Sequence, residues 1–451
     1  LCGKHAARYE ATGALDAAPT PPVRQSFSKP CLAFFAVTTL PVHDARRMRQ
    51  AGRELLSLAL MDARNRTLRW LSAFEAARPI TDEAVTREFL PALWLAGECA
   101  WFQEFWIARN VQRQRGEQGD PQRPKLASID PLADVLYGLT PREIGPDLWH
   151  RPESSDYAAA RRYMAETLDI TLELLDDNRL DGDDALYFFR LALWREDGLA
   201  ETLAVLAQAA GLPAGLQRPL WPAALQSASP RPALGFAGQR WQLGTPPGES
   251  GFVPDSERGA DEVDVAAFEI DAQAVTWSQF SEFVEDGGYD EPHWWSAAGW
   301  DWVQQGQRRV PRDVEQLRHG VLLHRHGELQ RVAGTQPAVL VSAHEADAWC
   351  RWAGRRLPTE AEWEIAVTHG SHRGLAWGDV WETVLGAARH WPDRRPSPVD
   401  AERLPPPGAP ALRVQRGASW LTVARRRHPK VRRFVAAGQD ALFAGFRSCA
   451  L

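Results

Sequence analysis

From Asp184 to Gly211 apolar side chains return at helical spacing, at Phe188, Leu191, Trp194, Leu199, Leu203 and Leu206. That period belongs to a helix with one buried face, and a helix this long needs other helices to cover it. Three earlier stretches, 54–75, 90–112 and 156–175, repeat the pattern. With one long crossover, 113–155, the four predict a four-helix bundle. Arg195 interrupts the last stripe, one position past Trp194 and four before Leu199. A charge there must reach solvent along its stem or meet a partner that offsets its burial.

Beyond the bundle the texture changes. Residues 212–233 are rich in Pro, Ala and Ser without a period, and read as a linker. From 234 onward short runs such as "QRWQLG" and "PAVLVS" alternate with Gly/Pro turns. One helix is expected over 276–286. Another starts within "GRRLPTEAEWE" (354–364), where Thr359 and Glu362 stand at capping-box spacing. The predicted fold is therefore multi-domain: a disordered segment 1–45, an all-α bundle 46–211, the linker 212–233, and an α+β domain 234–451. The Ala- and Pro-rich residues 1–36 carry no pattern and are expected to be disordered or upstream of the true start, with Val37 an alternative start. Trp363 is expected in the core, and replacing it or the turn residue Gly354 is expected to cost several kcal/mol, roughly 3–5 for Trp→Ala.

A net charge of −6 argues against nucleic acid as partner, since no basic surface is implied. Five cysteines, far apart and in no CxxC pair, fit free thiols in a cytoplasmic protein and exclude a legible zinc motif. No apolar run approaches membrane-spanning length, and "CLAFFAV" lacks the flanks of a signal peptide. The twenty tryptophans cluster, and cores account for them better than stacking platforms do.

"GRRLPTEAEWE", with "FEIDAQAVTWSQFSEFVEDGGY" before it and "RGASW", "RRRHPK" and "FAGFRSCA" after it, resembles the formylglycine-generating-enzyme/sulfatase-modifying-factor domain, a C-type-lectin-like α+β fold. "LWLAGECAWFQEFWIARN" and "LASIDPLAD" resemble the DinB-like bundle that precedes this domain in ergothioneine synthases of the EgtB type and their selenoneine-synthase relatives. The resemblance implies a non-heme Fe(II) enzyme that uses O2 to join sulfur or selenium to the imidazole of a trimethylated histidine. In that family three histidines hold the iron: one before "AWF", and an HxxxHxE pair whose i, i+4 spacing puts two imidazoles on one helix face.

Here those positions are Glu98, Arg195 and Leu199; of the motif only Glu201 is retained. The family's proton-donating tyrosine has no counterpart after Tyr289, "GDVWETV" departs from the pattern at Thr383, and the polar residue after the "RN-aromatic" step is Val435. The cysteine pair of true formylglycine generation is missing from "RGASWLTVARRRH", and Cys449 reads as structural. The resemblance thus predicts a divergent, degenerate homologue with no resident cofactor, whose pocket is left for a small molecule or a protein partner; the sequence does not fix its oligomeric state. The alternative is a working C–S or C–Se synthase with displaced ligands: Glu98, Glu201 or a histidine of the second domain. A third reading is an unrelated activity on the same scaffold.

Other candidates are weaker. His319, His324 and His326 with Glu328 read as a surface loop before they read as metal ligands, His150 lies in a loop, and His344 reads as packed or exposed. Arg425 and Arg427 are expected to serve the fold, and the carboxylates of 282–290 to face solvent. Because positions 98 and 195 reach one metal in the family, Glu98 and Arg195 are expected to form a salt bridge across the vacated site, worth about 3–5 kcal/mol if it is fully buried, with Leu199 filling the third ligand's volume; the alternative is that Arg195 reaches solvent and Glu98 pairs elsewhere.

Overall fold

The computed structural model describes residues 41–77, 90–138, 156–176, 182–212 and 229–451, apart from 318, 319, 326, 400, 402 and 403. Four helices, α1 (Arg53–Ala76), α2 (Ala92–Gln103), α3 (Tyr157–Leu175) and α4 (Gly182–Ala209), form the bundle. Around it α1 packs on α4, α4 on α2, α2 on α3 and α3 on α1. Their apolar stripes meet at Trp70, Trp94, Met164 and Leu203.

Helix α2 stops earlier than its periodicity predicts. A π-helical turn, Glu104–Ala108, ends it, with the Arg109 N–H donating to the Glu104 carbonyl at 2.9 Å. The extra residue turns the buried Glu104 carboxylate toward Tyr163 Oη (2.6 Å), Ser128 Oγ (2.9 Å) and the Ile129 N–H (2.8 Å). Those bonds reward a local break that apolar spacing does not encode. The segment expected to be disordered through residue 45 is ordered by Pro41, which opens a 3-10 turn; Asp44 then caps a short helix, Ala45–Arg49. The rest of that segment, most of the linker, and His150, His319 and His326 lie outside the described residues.

The C-terminal half carries helices α5 (Trp277–Glu285), α6 (Ala297–Gln305), α7 (Ala343–Trp352) and α8 (Glu360–Gly370). Of these, α6 and α7 go beyond the two helices that the sequence pattern predicts. Thr276, Ser342 and Thr359 close reciprocal capping boxes with Gln279, Glu345 and Glu362. Strands are short. β1 (Leu234–Phe236) pairs with β4 (Phe268–Ile270), and β2 (Gln239–Thr245) with β3 (Gly259–Val265); β5 (Val314–Gln316), β6 (Val321–Arg325) and β7 (Glu328–Val332) form a meander. The central sheet has the order β10-β9-β8-β11, from Arg432–Val435, Arg413–Gly417, Trp381–Ala387 and Ala444–Gly445.

The halves are not separate cores. One apolar cluster continues from Trp70 and Leu203 of the bundle to Trp277, Val339 and Phe446 of the other half. Everything described belongs to one compact unit. No helix among the described residues is long and apolar enough to cross a membrane.

Trp363 is fully buried and donates through Nε1 to Glu382 Oε2 at 2.8 Å, while Glu382 is also paired with buried Arg447. Gly417 lies against its indole at φ 88°, where a Cβ would stand 2.9 Å from the ring. Trp363→Ala therefore removes a core ring and one partner of a buried carboxylate, and should cost about 3–5 kcal/mol in a urea melt. Gly354 differs. It follows the end of α7 at φ 62°, and a Cβ added there would meet no atom within 4 Å. Gly354→Ala should therefore cost only the left-handed strain, about 1–2 kcal/mol, below the value expected from the sequence.

Candidate functional site

Where α4 meets the second half, it faces α2 on one side and β8, β10 and the 419–433 segment on the other. A cavity of about 580 Å³ opens there, lined by Glu98, Arg195, Leu199 and Glu201 together with Arg426 and Arg433. All the positions that the resemblance assigns to the family's metal motif converge on it.

Arg195 does meet a partner. Its Nη2 donates to Glu98 Oε1 at 2.7 Å, and its guanidinium lies 4.1 Å from the centre of the Phe102 ring. The condition of full burial is not met: the Arg195 and Glu98 side chains keep 28% and 21% of their exposure, because the space beside them is open. Leu199 is buried on the cavity wall.

Glu201 is fully used. Its Oε1 accepts from Trp381 Nε1 (2.6 Å) and Ser419 Oγ (2.9 Å), and its Oε2 from Thr422 Oγ1 (2.7 Å). It holds α4 to β8 and to the loop after β9. Behind it, Arg425 makes a bidentate pair with Asp197 at 2.6 and 2.7 Å and reaches Asp62 of α1 at 2.8 Å. Arg427 donates to the Thr422 and Trp420 carbonyls, each at 3.0 Å. Both arginines serve the fold, as expected. Inside the bundle, buried Arg64 and Glu196 pair at 2.7 Å with Thr67 alongside.

These residues do not fit a ferrous ion. The Glu98 carboxylate is held by a guanidinium, which is cationic at any working pH and has no lone pair to offer a metal. Leu199 has no donor atom. Burial pushes the Cys99 thiol well above its ordinary range, which disfavours the thiolate a metal needs. No histidine among the described residues lines the cavity. Among the described residues no three His, Cys, Asp or Glu side chains are grouped to hold a metal. His324 is half-exposed beside Glu315, 3.7 Å away.

Sequence reasoning does not single out Arg426 and Arg433 as cavity residues. The signal that could have found them is the basic run 425–433, in which periodicity cannot separate the fold-internal members from the rest. Arg426 lies 3.9 Å over the Trp194 ring and fits against α4 because Gly198 leaves room; a Cβ there would collide with its guanidinium. Arg433 lies 4.3 Å over the Trp381 ring.

Comparison with known proteins gives the geometry its context. The sulfatase-modifying factor enzyme 1-like domain matches residues 237–395. The hercynine oxygenase of Mycolicibacterium smegmatis is 31% identical over 392 residues, 82% of each chain. That of Mycolicibacterium thermoresistibile is 29% identical over 454 residues, 87% of this chain and 94% of its own. The formylglycine-generating enzyme of Streptomyces coelicolor is 33% identical over 190 residues, 35% of this chain and 57% of its own. Similarity that extends through the helical half and the sulfatase-modifying-factor half alike makes this chain a member of the hercynine oxygenase family, EgtB-like in its architecture.

Proposed function

We propose that this chain is a family member without iron chemistry at the position the family resemblance assigns, a pseudoenzyme in that respect, which keeps the cavity beneath α4 for a small molecule. The observation that carries this reading is the 2.7 Å contact between Arg195 and Glu98. One former ligand position holds a fixed positive charge, and the carboxylate beside it already neutralises that charge. A divalent cation brought there would have to displace the guanidinium from Glu98 and then sit beside it. The competing reading is an O2-dependent synthase joining sulfur or selenium to a histidine betaine through displaced ligands. Glu98 and Glu201 both line the cavity, but each is engaged by other donors and no histidine among the described residues joins them. We further propose a cytoplasmic location.

Ferrous iron under anaerobic conditions should leave the melting temperature of the wild type unchanged. The variant E98H/R195H/L199H, which restores an i, i+4 imidazole pair and a facing third, should gain about one iron per chain and a rise in stability of about 2.7 kcal/mol at a hundredfold excess over Kd. Iron bound by the wild type, with O2 uptake dependent on histidine betaine and abolished by E98Q or E201Q, would establish the synthase instead. As for stability, Glu98→Ala should cost about 1 kcal/mol in a urea melt and not the 3–5 of a buried pair, because the bridge is partly solvated and Arg195 keeps its contact with Phe102.

A further inference from the structure

A second cavity, of about 620 Å³, lies between the short helix Ala45–Arg49, the 241–253 segment, α8 and the turn 428–430. It shares no lining residue with the cavity beneath α4. Three cations line it, Arg46, Arg49 and Lys430, with two carboxylates, Glu249 and Glu364. Arg49 is engaged: both of its Nη groups donate to buried Glu257 at 2.7 Å. So is Glu364, which accepts from buried Arg416 through Oε2 and from Trp241 Nε1 at 3.3 Å through Oε1.

Arg46 and Lys430 are placed differently. Arg46 is exposed, and among the described residues no carboxylate lies within ion-pair distance of it. Lys430 donates through Nζ to the Gly244 carbonyl, a neutral acceptor; the carboxylate whose charge it shares, Glu364, is already paired with Arg416. Glu249, exposed on the loop after β2, has no ion pair among the described residues. The unengaged side chains thus leave the cavity with a net positive charge. His428 stands among the three cations. Its Nδ1 accepts from the Lys430 N–H at 3.2 Å, so the neutral ring carries its proton on Nε2. Burial is the main cause pulling its pKa down to about 4, followed by Arg49; Glu257 opposes this, and Arg46 and Lys430 add to it. The positive field that keeps this imidazole neutral would favour any anion beside it.

Trp241, Phe252 and Pro429 supply an apolar wall, and the volume lies within the range of small-molecule sites. We propose that this cavity binds a phosphate monoester with an apolar or aromatic body, whose oxygens accept from Lys430 Nζ, the Arg46 guanidinium and His428 Nε2. A phosphate monoester brings three acceptor oxygens and nearly two negative charges to two cations and one neutral donor. A carboxylate brings two oxygens and one charge, and leaves one donor unmatched. This site is independent of the cavity beneath α4 and of whether that cavity holds iron.

Isothermal titration of the full chain near neutral pH with phenyl phosphate, inorganic phosphate and phenylacetate tests it. Phenyl phosphate should bind with one-to-one stoichiometry, about tenfold or more tightly than either of the others. Arg46→Met and Lys430→Met should each weaken it about 10- to 100-fold, the usual worth of a charge-assisted hydrogen bond. The Arg46 side chain makes no hydrogen bond or ion pair among the described residues, so a loss there reports on the ligand and not on the fold. Arg426→Met, in the cavity beneath α4, should leave the affinity unchanged. The His428 imidazole resonance, assigned by its disappearance in His428→Gln, should titrate higher with ligand bound, from about 4 to about 5 or above. Absent binding of phenyl phosphate, equal affinity for inorganic phosphate or phenylacetate, or an affinity unmoved in both Arg46→Met and Lys430→Met would overturn the proposal. So would a His428 titration indifferent to ligand, or binding lost in Arg426→Met at an unchanged melting temperature, which would place the anion beneath α4. The iron-free reading stands or falls separately, on the Fe²⁺ melts.

Discussion

The arrangement of this molecule depends on one buried ion pair between Arg425 and Asp197. The arginine comes from the 3-10 turn Ala424–Arg426 of the C-terminal half, the aspartate from the middle of α4, and a third contact extends to Asp62 of α1. A buried pair of this kind adds little net stability against an apolar replacement, yet removing one partner strands a charge. Its effect is therefore positional. It fixes the rotation of α4 about its own axis and the height of the 419–433 segment against it. Glu201, one turn further along α4, repeats the function with neutral donors from Trp381, Ser419 and Thr422.

With α4 held at these two points, the residues beside them have no choice of direction. Gly198 and Leu199 look into the gap between the halves, and Arg195 looks across to α2. The Arg195–Glu98 bridge runs along the wall of the cavity, and its partial exposure follows from the open volume beside it.

Much of this is legible in the sequence, for physical reasons that can be named. The capping boxes at Thr276, Ser342 and Thr359 are local in sequence, so residue type and spacing suffice to read them, although the short apolar pattern around α7 gives its box at Ser342 little prominence. The Glu98–Arg195 bridge is legible because two positions that could reach one metal must be near each other in space. What is not legible depends on distant partners. The π turn at Glu104 needs Tyr163, Ser128 and Ile129, which come from elsewhere in the chain. Arg433 faces the cavity only because β10 pairs with β9 in the register that sets Arg433 opposite Gln415. The size of the cavity follows from how two halves pack, and no single segment encodes it.

An arginine at position 195, which the resemblance assigns to a metal ligand, has consequences that an alanine would not. Alanine at position 195 would leave an apolar gap that water or a neighbouring side chain could enter. Arginine brings a permanent charge and five N–H donors, and these demand acceptors. Glu98 answers part of that demand, so the two substitutions are coupled: either alone would leave an unpaired charge beside the apolar face of the bundle. Arginines 426 and 433, which line the same cavity, lie over tryptophan rings, Trp194 and Trp381. Each ring face covers the apolar surface of its guanidinium, and Arg433 keeps Glu201 3.7 Å away as its ion-pair partner.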